Sequence, residues 1–182
     1  MSKIIFCYKC NLLIISVFLK NKIYCMNFIS IQVPVYKYLK KFAETRYANH
    51  NNQIMVSTAK SPGIVMWKIL TRKNYRPFAM ANSYYNANLE FLISERFYNN
   101  SGFFLSPENT FIFNRYLRHQ FEESLFDHIT INAYCGFSNN IENQILTYLD
   151  YYNITESERS LESILKKYQR WRCERKVCIE KI

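Results

Sequence analysis

Residues Ile154–Ile182 read ITESERSLESILKKYQRWRCERKVCIEKI, and the rest of the chain is organised around them. Thr155 and Glu158 have the T-x-x-E spacing of a capping box ahead of an apolar periodicity, which marks a helix start. At ~100° per residue, Leu161, Ile164, Leu165, Tyr168 and Trp171 share one face, while Arg159, Ser163, Lys166, Lys167 and Arg170 point away from it. Six basic side chains and one acid lie between Lys166 and Lys176, with Tyr168 and Trp171 interleaved. Lys166, Lys167, Arg170, Arg172, Arg175 and Lys176 are therefore candidates to neutralise phosphates, each adding a counterion-release contribution. Arg170, or Ser163 and Arg159 one or two turns earlier, is placed to reach base edges. The same pattern also suits a solvated surface helix. Glu162 and Lys166 are an i,i+4 pair, and cations in the last turns complement the helix dipole without any ligand.

The preceding segment supplies a partner for this helix. Ile141, Ile145, Tyr148, Leu149 and Tyr152 follow a helical stripe after a break at Gly136 and Ser138–Asn140. Asn153, Ile154 and Thr155 form a short turn. Helix, three-residue turn and longer basic helix is the outline of a helix-turn-helix, whose second helix enters the major groove. Upstream, Ser106-Pro107-Glu108 has an N-cap serine, proline at the first helical position and an acid in the first turn. It predicts a central core helix over 107–129, with Phe113, Leu117, Phe121, Leu125 and His128 on one face.

Earlier residues predict a small sheet. Ile29, Ile31 and Val33 alternate with Ser30 and Gln32, and Pro34 ends that strand ahead of a helical stripe of Val35, Tyr38, Leu39 and Phe42. A strand running through Val-Pro into a basic helix resembles the opening of ribbon-helix-helix repressors over about twenty residues. The second helix starts only near Pro62, so the link exceeds that family's tight turn. Asn88–Phe97 suits a pleated sheet, Asn99–Gly102 signals a turn and Phe103–Leu105 a returning strand, which predicts a hairpin. Lys68, Arg72, Lys73 and Arg76 lie beside Trp67, Tyr75 and Phe78 and form a second basic patch. Interleaved cations and aromatics can hold phosphates and stack on bases, and a solvated helix end fits equally well.

Residues 1–25 carry four lysines and no acid around the apolar run Asn11–Leu19, which is too short to span a bilayer. Three explanations stay open: a mis-called start with translation beginning at Met26, a signal or anchor lacking a small-x-small cleavage site, or a packed segment. The whole chain is 182 residues with a formal net charge of +10, and 106–153 is the one acidic block. That excess attracts polyanions. Six cysteines, with Cys7 and Cys10 as an isolated C-x-x-C, read as reduced thiols rather than a disulfide scaffold or a zinc site.

Catalytic patterns are missing. There is no phosphate-binding glycine loop, no H-E-x-x-H and no nucleophile elbow. His119 and His128 are nine residues apart and face opposite sides of one helix. His119 reads as a surface pair with Glu122 and Glu123, and His128 as a core histidine.

The terminal pattern I-x-x-x-L-x-x-Y-x-I-[ST]-E…L-E-x-x-x-K-x-Y-x-R is carried by Ile145, Leu149, Tyr152, Ile154, Thr155, Glu156, Leu161, Glu162, Lys166, Tyr168 and Arg170. It resembles uncharacterised small basic proteins of phages and mobile elements from AT-rich bacteria. The resemblance implies no activity.

The sequence thus predicts a cytoplasmic α+β protein, mainly helical, with a small antiparallel sheet and a C-terminal helix-turn-helix-like hairpin. Its segments are an apolar and basic extension (1–25), an α+β core (26–135) and the basic hairpin (136–182). The expected function is non-catalytic nucleic-acid binding, DNA over RNA, by a transcriptional regulator or replication accessory. The alternative is a virion or assembly component whose basic face is only solvated. No cofactor, metal, catalytic residue or membrane span is expected, and the oligomeric state is open.

Overall fold

The computed structural model describes residues 3–7, 12–19, 22–49, 53–56, 62–71, 84–136 and 140–179. Five strands and six helices are found among them: β1 (Lys3–Cys7), β2 (Leu12–Leu19), β3 (Lys22–Val35), α1 (Lys37–Tyr47), β4 (Ile54–Met55), α2 (Gly63–Ile69), β5 (Ala87–Ser94), α3 (Glu95–Ser101), α4 (Pro107–Tyr134), α5 (Ile141–Tyr151) and α6 (Leu161–Ile179). The fold is α+β and mainly helical. Two compact units, 1–117 and 118–182, divide the chain inside α4. No described helix is long and apolar enough to cross a membrane.

The first unit is built on a sheet ordered β1-β2-β3-β5-β4. Its first four strands pair antiparallel, but β4 runs parallel to β5, so the sheet is mixed rather than antiparallel throughout. Residues 1–25, which the sequence sets apart as an extension, contribute β1 and β2 and the start of β3. The long β3 serves two neighbours in succession: Lys22–Ile29 pairs with β2, and Phe28–Val35 with β5. Pro34 does not end it. Beyond Ile29 the strand has β5 as its one described neighbour, so a residue without an N–H is tolerated and pairing continues to Val35.

Helix α1 buries Tyr38, Leu39, Phe42 and Ala43; Val35, the first member of the expected helical stripe, is buried at the end of β3 instead. Its N-cap, Tyr36, provides no side-chain cap. The first amides are served from distant sequence instead: Tyr36 N–H donates to Asn114 Oδ1 at 3.3 Å and Lys37 N–H to Asn86 Oδ1 at 2.8 Å. Strand β5 buries Leu89, Phe91, Leu92 and Ile93, and Phe91 meets Phe113 of α4 edge-on at 5.5 Å.

The hairpin expected after β5 does not form. Ser94 Oγ accepts from Phe97 N–H, Glu95 occupies the first turn, and the chain enters α3. Gly102, at φ 82°, ends α3 in a conformation that glycine adopts without strain. Phe103–Leu105 forms no strand, and Phe104 makes only an isolated bridge with Thr71. A serine cap followed by an acid therefore overrides the β-prone Phe97 and the Asn-Asn-Ser-Gly turn signal.

The second unit holds the C-terminal part of α4 with α5 and α6. Phe121, Leu125, Phe126 and Ile129 of α4 are buried, as are Ile145, Tyr148 and Leu149 of α5 and Ile164 and Tyr168 of α6. Helix α5 starts on Asn140, whose Oδ1 accepts from Asn143 N–H at 3.1 Å. It stops in a Schellman motif: Ile154 N–H donates to Leu149 O at 2.9 Å and Asn153 N–H to Asp150 O at 2.9 Å, with Asn153 left-handed at φ 54°. Buried Ile154 and Leu149 supply the apolar partners that accompany the motif.

Candidate nucleic-acid interface

Helix α6 begins at Leu161, five residues later than the capping box implies. Glu158 Oε2 accepts from Thr155 N–H at 3.2 Å, and Glu158 and Arg159 N–H donate to Thr155 O. The carboxylate arm of the box closes, while the Thr155 hydroxyl pairs with Ser157 Oγ at 2.9 Å, and the turn is not continued. Helix α6 starts at Leu161, and the link from Tyr152 to Ser160 replaces the three-residue turn of a helix-turn-helix. Arg159 consequently lies before α6 and not on its polar face.

The apolar face of α6 forms as the periodicity requires. Ile164 and Tyr168 are buried, Leu161, Leu165 and Trp171 half-buried. Tyr168 and Trp171 both lean on Phe126, with ring centroids 5.4 and 5.2 Å away. Those rings seat α6 on α4.

The basic residues divide by what holds them. Lys167 Nζ is 2.5 Å from Glu122 Oε1, and Arg159 Nη2 is 3.4 Å from the same oxygen. Glu122 is only 18% exposed, so it fastens the link and α6 to α4 from within a partly shielded site. Lys166 pairs with Glu162 on the exposed helix surface at 2.6 Å. Arg175 lies 4.4 Å over the Trp171 ring, a cation–π contact that leaves its side chain exposed. Arg170 and Arg172 are exposed and make no ion pair or hydrogen bond among the described residues. Ser163 is half-buried. Lys176 is in α6, but its side chain lies outside the described residues.

No protein-family model, curated protein or solved structure matches the chain. Function therefore rests on the site itself.

The described members of the eight residues singled out in the sequence differ in what holds them. Arg159 and Lys167 share the single charge of Glu122, Lys166 pairs locally with Glu162, and Arg170, Arg172 and Arg175 remain on the last turns. Glu122 was the residue the sequence concealed as their partner. It is 37 positions from Arg159 and 45 from Lys167, beyond the reach of any helical-spacing argument. In the first unit, Lys68 is exposed in the last turn of α2, while Arg72, Lys73 and Arg76 lie outside the described residues.

Other chemistry is sparse. His119 pairs with Glu123 at 3.4 Å on an exposed surface, and His128 contacts Asn132 and Tyr148. Among the described residues no three histidine, cysteine or acidic side chains gather to hold a metal ion. A groove at the α5–α6 link is lined by Leu149, Ile154 and Leu161 with Asp150 and Glu156. Its charge is opposite to what a phosphate requires.

The two kinds of ion pair differ in stability. Glu122→Gln leaves Arg159 and Lys167 without their charged partner in a shielded position, and is expected to lower the unfolding free energy of the second unit by about 1–2 kcal/mol. Lys166→Ala breaks an exposed i,i+4 pair and is expected to change it by less than about 0.5 kcal/mol. Urea unfolding read by Trp171 fluorescence in a Trp67→Phe background measures both. Equal effects would show that Glu122 holds nothing.

Proposed function

We propose that the protein binds nucleic acid without catalysis, gripping phosphates through the last turns of α6. It would act in the cytoplasm as a transcriptional regulator or replication accessory, of the kind phages and mobile elements carry. The observation that carries this reading is the pair Arg170 and Arg172, exposed and without an ion-pair partner among the described residues. A guanidinium in that position has its full charge and five donors available to a phosphate. The net charge of +10 supports the reading by favouring encounter with any polyanion. Arg159 and Lys167, held by Glu122, support α6 and are not contacts.

Fluorescence anisotropy of the full chain with random-sequence duplex DNA between about 50 and 200 mM salt tests this. Affinity should fall steeply with salt. Arg170→Ala/Arg172→Ala should weaken binding at least tenfold and flatten the slope of log K against log salt by about two. Salt-independent binding, or a double variant equal to the wild type, would refute the proposal and return the basic helix to a solvated face.

A further inference from the structure

We infer that the ligand of α6 is duplex DNA, and that the helix enters the major groove side-on with one arginine against each wall. The inference rests on the nucleic-acid reading above and deepens it to one class of polymer.

The geometry comes from the order of side chains around the last described turns. Trp171 is half-buried against Phe126 and marks the side that faces the body of the second unit. Gln169, Arg170, Arg172, Cys173, Glu174 and Arg175 are all exposed. This stretch therefore stands clear of its own unit on every side except that of Trp171. At 3.6 residues per turn, Gln169 and Cys173 lie opposite Trp171, and Arg170 and Arg172 fall on the two flanks, ~200° apart about the axis. The result is a rod with one side packed, an arginine on each flank, and Gln169 and Cys173 on the outer edge.

That cross-section matches one nucleic-acid form. A helix with its side chains is about 10–12 Å across, and the major groove of B-form DNA is about 12 Å wide. With Gln169 and Cys173 towards the groove floor, Arg170 and Arg172 meet phosphates on opposite strands. A-form RNA has a major groove too narrow and deep for a helix. A single strand presents one line of phosphates, so it engages one flank and leaves the other arginine in water.

Single-strand binders compensate by stacking bases on aromatic rings, and here those rings are occupied. Tyr168 is buried and stacked on Trp171 at 5.7 Å, and Trp171 is covered by Arg175 and Phe126. Glu174 lies on the flank of Arg170, so the described contribution of this segment is three cations against one acid. That charge suffices for a few phosphates and favours a bound position set by shape. Gln169 carries an amide of the kind that reads adenine edges, and it lies on the outer edge.

The test uses the full chain and three polymers of one random sequence: a 20-base-pair DNA duplex, its single strand and the corresponding RNA duplex. The DNA duplex should bind at least tenfold more tightly than either other polymer. Arg170→Ala and Arg172→Ala should each weaken the duplex, and each should lower its salt slope by about one. Cys173 provides an independent readout, because it is exposed on the edge that enters the groove. Duplex DNA should slow its alkylation by a maleimide at least fivefold, scored by peptide mass mapping, while exposed Cys135 reports general effects on reagent access. If binding depends on both arginines but the RNA duplex binds equally and Cys173 stays reactive, the groove assignment is wrong and the nucleic-acid reading stands. If none of the three polymers binds, both are wrong.

Discussion

Phe121→Ala is expected to destabilise the second unit by about 3–5 kcal/mol, the largest effect of any single truncation there. Phe121 is fully buried on α4 and meets Tyr148 of α5 edge-on, with ring centroids 5.8 Å apart. Truncation removes the transfer free energy of the ring and leaves a cavity that three helices cannot close without shifting. The lost aromatic pair adds about 0.5–1.5 kcal/mol within that total. Because domains of this size are stable by only about 5–15 kcal/mol, the change takes a large share of what holds the unit together. Urea unfolding in the Trp67→Phe background, with Trp171 as the probe, gives the value. Phe121→Leu should cost markedly less, since most of the volume is kept. A loss below about 1 kcal/mol for the alanine variant would mean that α5 and α6 do not depend on this packing.

The parts of this unit that the sequence reveals are those set by local chemistry. Ser106 caps α4 by accepting from Asn109 N–H at 3.1 Å, Asn140 caps α5, and left-handed Gly136 follows the end of α4. Each signal acts within four residues, so it can be read from the chain alone. The buried stripes Phe113, Leu117, Phe121, Leu125 and Ile145, Tyr148, Leu149 follow from periodicity in the same way. Two local signals in conflict were harder. After β5 the Ser94 cap competes with a turn sequence, and at Thr155 one arm of a capping box closes a turn that α6 does not continue.

The candidate site was legible as a list of cations and illegible as a surface. Lys167 and Arg170 are alike in sequence, yet one is fastened to Glu122 and the other faces solvent. That difference depends on which helix packs against α6, a matter of tertiary structure. Glu122 looked like a partner for His119 because it lies three positions away, but the ion pair formed on that turn is His119 with Glu123.

Asn114→Leu is expected to lower the stability of the first unit by about 2–5 kcal/mol, although it exchanges a polar group for an apolar one in a buried position. Asn114 is 2% exposed. Its Nδ2 donates to Pro34 O at 2.9 Å and to Thr110 O at 2.9 Å, and its Oδ1 accepts from Tyr36 N–H at 3.3 Å. This side chain thus ties α4 to the junction where β3 ends and α1 begins, 80 and 78 residues away in sequence. Leucine fills the space but leaves a carbonyl and an amide without partners, at about 1–3 kcal/mol each.

Asn114→Asp separates this account from a simple packing effect. Its carboxylate still accepts from Tyr36 N–H, but it confronts the Pro34 and Thr110 carbonyls with no proton to donate. Burial and those carbonyls raise the folded-state pKa of the introduced carboxyl above its unfolded value. The folded state then binds more protons than the unfolded state, so stability falls as pH rises through that interval and recovers as pH falls. Urea unfolding of the aspartate variant at several pH values, each compared with the wild type at the same pH, reads the difference directly. A deficit that shrinks on acidification assigns the stabilisation to the donated hydrogen bonds. A deficit constant with pH would assign it to shape alone.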